Sequence, residues 1–121
     1  MGSVEHFSPH TEFHTGERCH IVELHNTAGD AGCSIARARV EPGVATRLHC
    51  VQDTAERYVI LEGTGSMEVA GEPPVAVGPL DVVTIPAGVS QRITNTGARD
   101  LVFLCICTPR FEARNYIELG P

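Results

Sequence analysis

Lysine and tryptophan are both missing from this chain of 121 residues. All nine basic residues are therefore arginine, which excludes a Schiff base on lysine and the lysine of a phosphate-binding loop. Fifteen acidic residues give a net charge of −6 at pH 7 with histidine neutral, and basic residues form no run. Such a chain repels phosphate backbones and anionic lipid surfaces, so we expect neither nucleic acid nor a membrane as its partner.

Long apolar segments and C-x-x-C pairs are also absent. The longest apolar run, residues 101–107, is far too short to cross a bilayer, and the N-terminus lacks the features of a signal peptide. The chain has five cysteines, an odd number that fits free thiols in a reducing compartment better than a disulfide framework. The sequence therefore predicts a cytoplasmic protein.

No window of ten or more residues carries a convincing helical period. Gly, Pro and Asn turn signals recur at short intervals instead, and segments rich in Val, Ile and Leu lie between them. We predict strands at residues 20–24, 33–40, 46–51, 57–61, 66–69, 81–85, 91–95 and 101–107. This pattern predicts one all-β domain at residues 31–121, preceded by an arm at residues 1–30 that packs on the barrel or on a partner subunit.

Two stretches carry a recognisable spacing. Residues 43–63 place Gly43, His49, Glu56 and Gly63 as in the first cupin motif, G-(x)5-H-x-H-(x)3,4-E-(x)6-G. Residues 80–95 resemble the second cupin motif, G-(x)5-P-x-G-(x)2-H-(x)3-N, at its Pro, Gly and Asn positions. The chain thus resembles a small single-domain cupin of the type-2 family. The resemblance implies a cupin-type antiparallel β-barrel, also called a double-stranded β-helix or jelly roll, and a homodimer.

In the family, three histidines and a glutamate hold a divalent metal, and this sequence departs from that set. His49 and Glu56 stand at ligand positions, but Val51 and Gln91 replace the second and third histidines, and Leu80 replaces the glycine of the second motif. One hypothesis is a degenerate site of His49, Glu56, Gln91 and solvent that holds Mn, Fe(II), Zn or Ni. The other is a metal-free barrel in which His49 and Glu56 form a catalytic acid–base pair.

Four residues are predicted to bind a substrate. Arg47 shares a strand face with His49, and Tyr58 follows Glu56 at the even spacing that lines a barrel. A valine in place of a histidine leaves room for an apolar group, and an amide offers both a donor and an acceptor. The predicted substrate-binding residues are Arg47, Val51, Tyr58 and Gln91.

Arg37 and Arg39 alternate along a predicted strand, with Ile35 on the same side. If they point inward, they would bind a carboxylate or phosphate group of a substrate. If they point outward, they are solvent or interface charges. The sequence leaves both alternatives open.

The resemblance leads to two functional hypotheses. The first is a small-molecule enzyme of the dioxygenase, isomerase or lyase type that works inside the barrel. The alternative is a metal-free cupin that binds a small metabolite as a sensor or accessory module without catalysis.

Overall fold

The computed structural model describes residues 2–121, and antiparallel strands make up most of its regular structure. The strands are β1 (Phe13–His14), β2 (His20–His25), β3 (Ser34–Val40), β4 (Leu48–Val51), β5 (Ala55–Glu62), β6 (Gly65–Val69), β7 (Val75–Val77), β8 (Val82–Ile85), β9 (Gln91–Asn95), β10 (Leu101–Thr108) and β11 (Tyr116–Gly120). Two single 3₁₀ turns lie at Pro9–Thr11 and Ala113–Asn115. None of the helices in residues 2–121 has the length and apolar character needed to cross a bilayer.

The strands form two sheets. One has six strands in the order β1-β2-β3-β10-β5-β8, and the other has five in the order β11-β4-β9-β6-β7. Every pairing is antiparallel, and neighbours in a sheet are mostly distant in sequence, as in a jelly roll. The predicted all-β class and antiparallel barrel are confirmed.

Side chains alternate between the interior and the outside along β5. Glu56, Tyr58 and Ile60 are buried, whereas Arg57 and Val59 between them are only partly buried. This period of two follows from the pleat of a strand, and it is the pattern that the sequence predicts for these positions. The same strand therefore carries a titratable group, an aromatic ring and a core residue on one inner face.

The apolar core lies between the two sheets. Ile60 and Leu101 of the six-stranded sheet belong to one core cluster with Ile93 and Met67 of the other sheet. All four side chains are nearly inaccessible to solvent. Burying an aliphatic side chain of this size stabilises a fold by about 1.5–3 kcal/mol. These contacts hold the two sheets together at a distance from Glu56, which lies at the start of β5.

Asn95 fixes the turn that follows β9. Its Nδ2 donates to the carbonyl oxygens of Val40 and Arg99, at 2.9 and 2.8 Å, and its Oδ1 accepts from the Gly97 N–H at 2.8 Å. Asn95 is 1% exposed, and its bond to Val40 is buried and shielded from water. The side chain ties β9 to β3 and serves the structure of the barrel.

The structure contains three strands that the sequence does not predict: β1, β7 and β11. β1 has two residues, and β7 has three residues between a Pro-Pro and a Gly-Pro pair, so neither carries a readable period. In the segment predicted as an arm, β1 and β2 extend the six-stranded sheet through pairing of β2 with β3. The boundary at residue 30 and contact with a partner subunit stay predictions.

Gly63 offers a test of the packing between the β5–β6 turn and β10. It has a φ of +83°, and a Cβ there would lie 2.7 Å from the carbonyl oxygen of Asp100. Gly43 has a similar φ of +77° but open space around it. We expect Gly43→Ala to cost about 1–2 kcal/mol, the usual penalty of a left-handed residue, and Gly63→Ala to cost roughly 1–3 kcal/mol more because backbone has to move.

Urea unfolding of both variants measures the difference between the two glycines. Equal losses of stability in Gly43→Ala and Gly63→Ala would show that the Asp100 contact is relieved without cost.

Candidate functional site

A cavity of about 350 Å³ opens into the barrel. Its walls come from β2, β3, β4, β5, β10 and β11, together with the segment that precedes β2. Three of the residues predicted from the sequence, His49, Glu56 and Tyr58, line it. The volume lies in the range of small-molecule sites.

His49 is held in one orientation. It is 4% exposed, and its Nδ1 lies 2.8 Å from the carbonyl oxygen of Arg47, which can only accept, so Nδ1 carries a proton. Nε2 lies 3.4 Å from Oε2 of Glu17. The ring stacks on Tyr116 with centroids 5.0 Å apart. Nε2 is therefore the nitrogen available for proton exchange at the cavity.

Glu56 is a buried carboxyl group, and one of its oxygens makes no hydrogen bond. The residue is 8% exposed, and its Oε1 has no hydrogen-bond partner among residues 2–121. Burial raises the pKa of Glu56, while the neighbouring Gln91 amide and a charge on His49 act to lower it and the charge of Glu17 acts to raise it. Desolvation is the largest of these effects, so the protonated form of Glu56 is favoured.

Gln91 lies behind Tyr58 in the interior. The Tyr58 hydroxyl donates a hydrogen bond to Gln91 Oε1, and Gln91 is 1% exposed. The Nε2 of Gln91 has no partner among residues 2–121. Burial raises the pKa of Tyr58 well above its ordinary value, so the hydroxyl keeps its proton and acts as a donor. The Tyr58 ring in turn stacks on Phe103 at 4.5 Å.

Three thiols face the cavity: Cys19, Cys105 and Cys107. All five cysteines of the chain are free. Burial raises the pKa of each of the three, that of Cys107 to about 12, and the charge of Glu56 acts in the same direction on all of them. They are protonated at neutral pH and therefore form a weakly polar wall without the reactivity of a thiolate.

The other two predicted substrate-binding residues do not line the cavity. Arg47 donates from Nε to the carbonyl oxygen of Gly16 at 2.8 Å and lies 3.2 Å from Oε1 of Glu118. Its backbone N–H donates to the carbonyl oxygen of Glu17 at 3.1 Å. Val51 is 4% exposed and pairs with Tyr116 in the sheet. Arg47 thus anchors the segment that carries Glu17, and a ligand in the cavity would meet neither Arg47 nor Val51 directly.

Arg37 and Arg39 are also directed away from the cavity. Arg39 bonds both oxygens of Glu12, at 3.1 and 2.6 Å, and lies 3.1 Å from Asp100. Arg37 lies 3.7 Å from Glu12 and over the ring of Phe7 at 5.4 Å. Of the two alternatives left open by the sequence, the structure supports outward charges, which here fasten the N-terminal segment to β3.

Several residues that line the cavity are not predicted from the sequence, because they lie outside both motifs. Glu17 and Cys19 come from the irregular segment before β2, and Tyr116 and Glu118 come from β11. The sequence does contain a strand signal for β11, because polar and apolar residues alternate from Tyr116 to Leu119. No local pattern places Glu17 beside His49, because its position depends on contacts with Arg47.

The side chains present do not fit the divalent-metal site predicted at His49, Glu56 and Gln91. The oxygen of Gln91 already accepts the Tyr58 hydrogen bond, and its nitrogen cannot coordinate a cation. Val51 has no donor, and burial favours the neutral form of Glu56. Within residues 2–121, no three His, Cys, Asp or Glu side chains are grouped as metal ligands.

Two antiparallel sheets that enclose a cavity lined by polar groups from facing strands define a jelly-roll β-barrel. The Cupin domain family matches residues 36–107, which is more than half of the chain. The chain therefore belongs to the cupin family, as its two motifs predict. No curated protein matches it in sequence.

Solved structures extend the comparison. The chain is similar to KdgF from Halomonas sp., with 14% identity and a TM-score of 0.80 over 94% of this chain and 99% of that one. It is similar to Pac13 from Streptomyces, described as a nucleoside dehydratase, with 13% identity and a TM-score of 0.78 over 98% and 92%. A predicted oxalate decarboxylase from Thermotoga maritima shares 29% identity, with a TM-score of 0.69 over 75% and 80%. The first two likenesses show the fold alone.

The raised pKa of Glu56 predicts a pH dependence of stability. The carboxyl binds its proton more tightly in the folded state than in the unfolded state, where its pKa is near 4.5. The free energy of unfolding should therefore fall as the pH rises from 4.5 toward the raised pKa, and level off above it. In that window Glu56→Gln should reduce the downward slope by up to about 1.4 kcal/mol per pH unit.

Urea unfolding at a series of pH values measures this slope. Glu72→Gln, which changes an exposed glutamate in a turn, is the control and should leave the slope unchanged. Parallel profiles for the native protein and Glu56→Gln would contradict the assignment.

Metal content tests the fit of the site directly. Protein purified without a histidine tag and soaked in Mn, Fe(II), Zn or Ni should retain clearly substoichiometric metal by elemental analysis. Gln91→His should raise retention by at least about tenfold, because it restores an imidazole ligand beside His49. A full equivalent in the native protein would instead support the degenerate metal site.

Proposed function

We propose that this cupin is a small-molecule enzyme of the isomerase or lyase type, in which His49 and Glu56 exchange protons with a ligand inside the barrel. The observation that supports this most directly is a cavity lined both by a buried carboxyl group, whose pKa is raised by burial, and by an imidazole whose orientation is fixed. Reactions of these types require only proton transfer, which the two groups supply.

His49 is suited to act as the base. The carbonyl oxygen of Arg47 fixes a proton on Nδ1, so Nε2, which faces Glu17, is the nitrogen that can accept and release a proton. When Nε2 takes a proton from a carbon of the ligand, the imidazolium that forms lies 3.4 Å from the Glu17 carboxylate. This negative charge stabilises the protonated ring.

Glu56 is suited to act as the acid. Burial raises its pKa and so favours the protonated form, whereas a positive charge on His49 lowers its pKa. Proton uptake by His49 therefore makes Glu56 a stronger acid at the moment it is needed. In an elimination, the C–H electrons form a double bond, the C–O bond breaks, and the Glu56 proton leaves with the oxygen as water.

The fold neighbours agree with this chemistry. Pac13 is described as a nucleoside dehydratase, and a dehydration is an elimination of this kind. In the present chain the wall around His49 and Glu56 is largely apolar, which limits competing water.

Two variants test the proposal before the substrate is identified. The protein is incubated in D₂O with a set of small hydroxylated compounds, uridine included, and mass spectrometry detects deuterium uptake and loss of water. For a compound that is turned over, His49→Asn keeps a donor for the Arg47 carbonyl but removes Nε2, and Glu56→Gln removes the acidic proton. Each should lower the rate by about 10²–10⁴-fold, and a chelator should have no effect.

His10→Asn and Glu72→Gln make the same exchanges at exposed positions and should retain the full rate. Loss of turnover on chelation would overturn metal-free catalysis. Compounds that raise the melting temperature and are never consumed would identify the protein as a binding module.

A further inference from the structure

The aromatic residues of this chain are concentrated at one place. The sequence contains four phenylalanines, two tyrosines and no tryptophan. Five of these six line the cavity, on walls that face it from several strands: Phe13, Tyr58, Phe103, Phe111 and Tyr116. Aromatic faces bind flat apolar groups, and they also attract cations through the negative charge of their π faces.

The charged residues of the cavity have one sign. Its lining includes four glutamates and, within residues 2–121, no arginine. Only Glu118 is paired with an arginine, Arg47, at 3.2 Å. For Glu17, Glu23 and Glu56, the single basic neighbour on the lining is His49. The arginines that would bind a carboxylate or phosphate ligand lie elsewhere on the protein.

From this composition we infer that the cavity binds an organic cation, an amine carried on a flat apolar body. The inference rests on the proposed function only in that it names the ligand class of the same cavity. An ammonium group supplies the positive charge that the lining lacks, whereas a carboxylate or phosphate would be repelled by it. The aromatic walls accept the apolar body of the same molecule.

Two acidic side chains of the lining, Glu17 and Glu56, suit an ammonium group. Glu17 is fixed on the wall because Cys19 Sγ donates to its Oε1 at 3.3 Å and Arg47 holds its backbone. The Glu56 side chain is the second, independent sign of a missing donor: it is more than nine-tenths buried, lines the cavity, and its solvent-shielded Oε1 has no hydrogen-bond partner among residues 2–121. An ammonium group has several N–H donors and no acceptor, so it can serve more than one oxygen of such a lining.

Glu17 then faces two positive charges during the proposed proton transfer, the ammonium group and the His49 imidazolium 3.4 Å away. Glu23, which is on the same lining and has no arginine partner within the described residues, supplies a further negative charge. The amine orients the ligand, and His49 and Glu56 act on a neighbouring part of it.

Three probes of one shape and different charge test the inference. Tryptamine, tryptophol and indole-3-acetate share an indole ring and a short side chain that ends in an amine, a hydroxyl or a carboxylate. Isothermal titration calorimetry near neutral pH should show tryptamine binding at least about tenfold more tightly than tryptophol, the effect of one charge-assisted hydrogen bond. Indole-3-acetate should bind most weakly.

Glu17→Gln should remove most of the preference for tryptamine over tryptophol, since it removes the charge but keeps an oxygen for Cys19. Glu72→Gln changes the net charge of the protein equally at an exposed turn and should retain the preference. Circular dichroism and the melting temperature establish that both variants are folded.

Equal binding of the three probes, a preference for the anion, or no binding by any of them at millimolar concentration would overturn the inference. An equal loss of preference in Glu17→Gln and Glu72→Gln would overturn the role of Glu17. Affinity is measured at equilibrium without turnover, so this result stands apart from the fate of the catalytic variants.

Discussion

The hydroxyl of Tyr58 donates a hydrogen bond to the side-chain oxygen of Gln91 across the interior of the barrel, from the six-stranded sheet to the five-stranded one. This bond fixes both side chains and determines what the site can do. It uses one of the two lone pairs of the oxygen with which Gln91 could replace a histidine ligand. It also holds the Tyr58 ring against Phe103, where it forms part of the cavity wall. The rest of the site is a buried polar interior in which hydrogen bonds hold His49, Tyr58 and Gln91, while Glu56 Oε1 and Gln91 Nε2 have no partner among residues 2–121.

The charge distribution complements this arrangement. On the outside, arginines are paired with acids, as in Arg39 with Glu12 and Asp100, and Arg92 with Glu68. These pairs neutralise surface charge and leave the carboxyl groups of the interior without strong partners. Burial raises the pKa of the nearby thiols and of the Tyr58 hydroxyl and keeps them protonated, and the charge of Glu56 acts in the same direction. Burial and a lining with acidic residues thus act together on the titratable groups of this pocket.

Because inward-facing and outward-facing residues alternate along a strand, much of this site could be predicted from the sequence. The motif spacing placed His49 and Glu56, and the period of two placed Tyr58 on the same inner face as Glu56. The predicted strand at residues 91–95 coincides with β9. The position of Glu17 could not be read in this way, because it depends on hydrogen bonds between an irregular segment and Arg47. Arg47 was expected to contact a ligand because strand period gives the direction of a side chain but not its partner.

Some residues of the cavity wall lie inside the part of the chain that matches the family, and the others lie outside it. Residues 36–107, which match the family, supply the barrel strands that carry His49 and Glu56. Twelve of the 21 lining residues lie outside this range, in the N-terminal segment and β2, at the start of β3, and in the residues from Phe111 through β11. The strands matched by the family thus supply His49 and Glu56, whereas the shape of more than half of the wall depends on residues beyond the matched range. The two motifs alone therefore do not define which ligand fits this cavity.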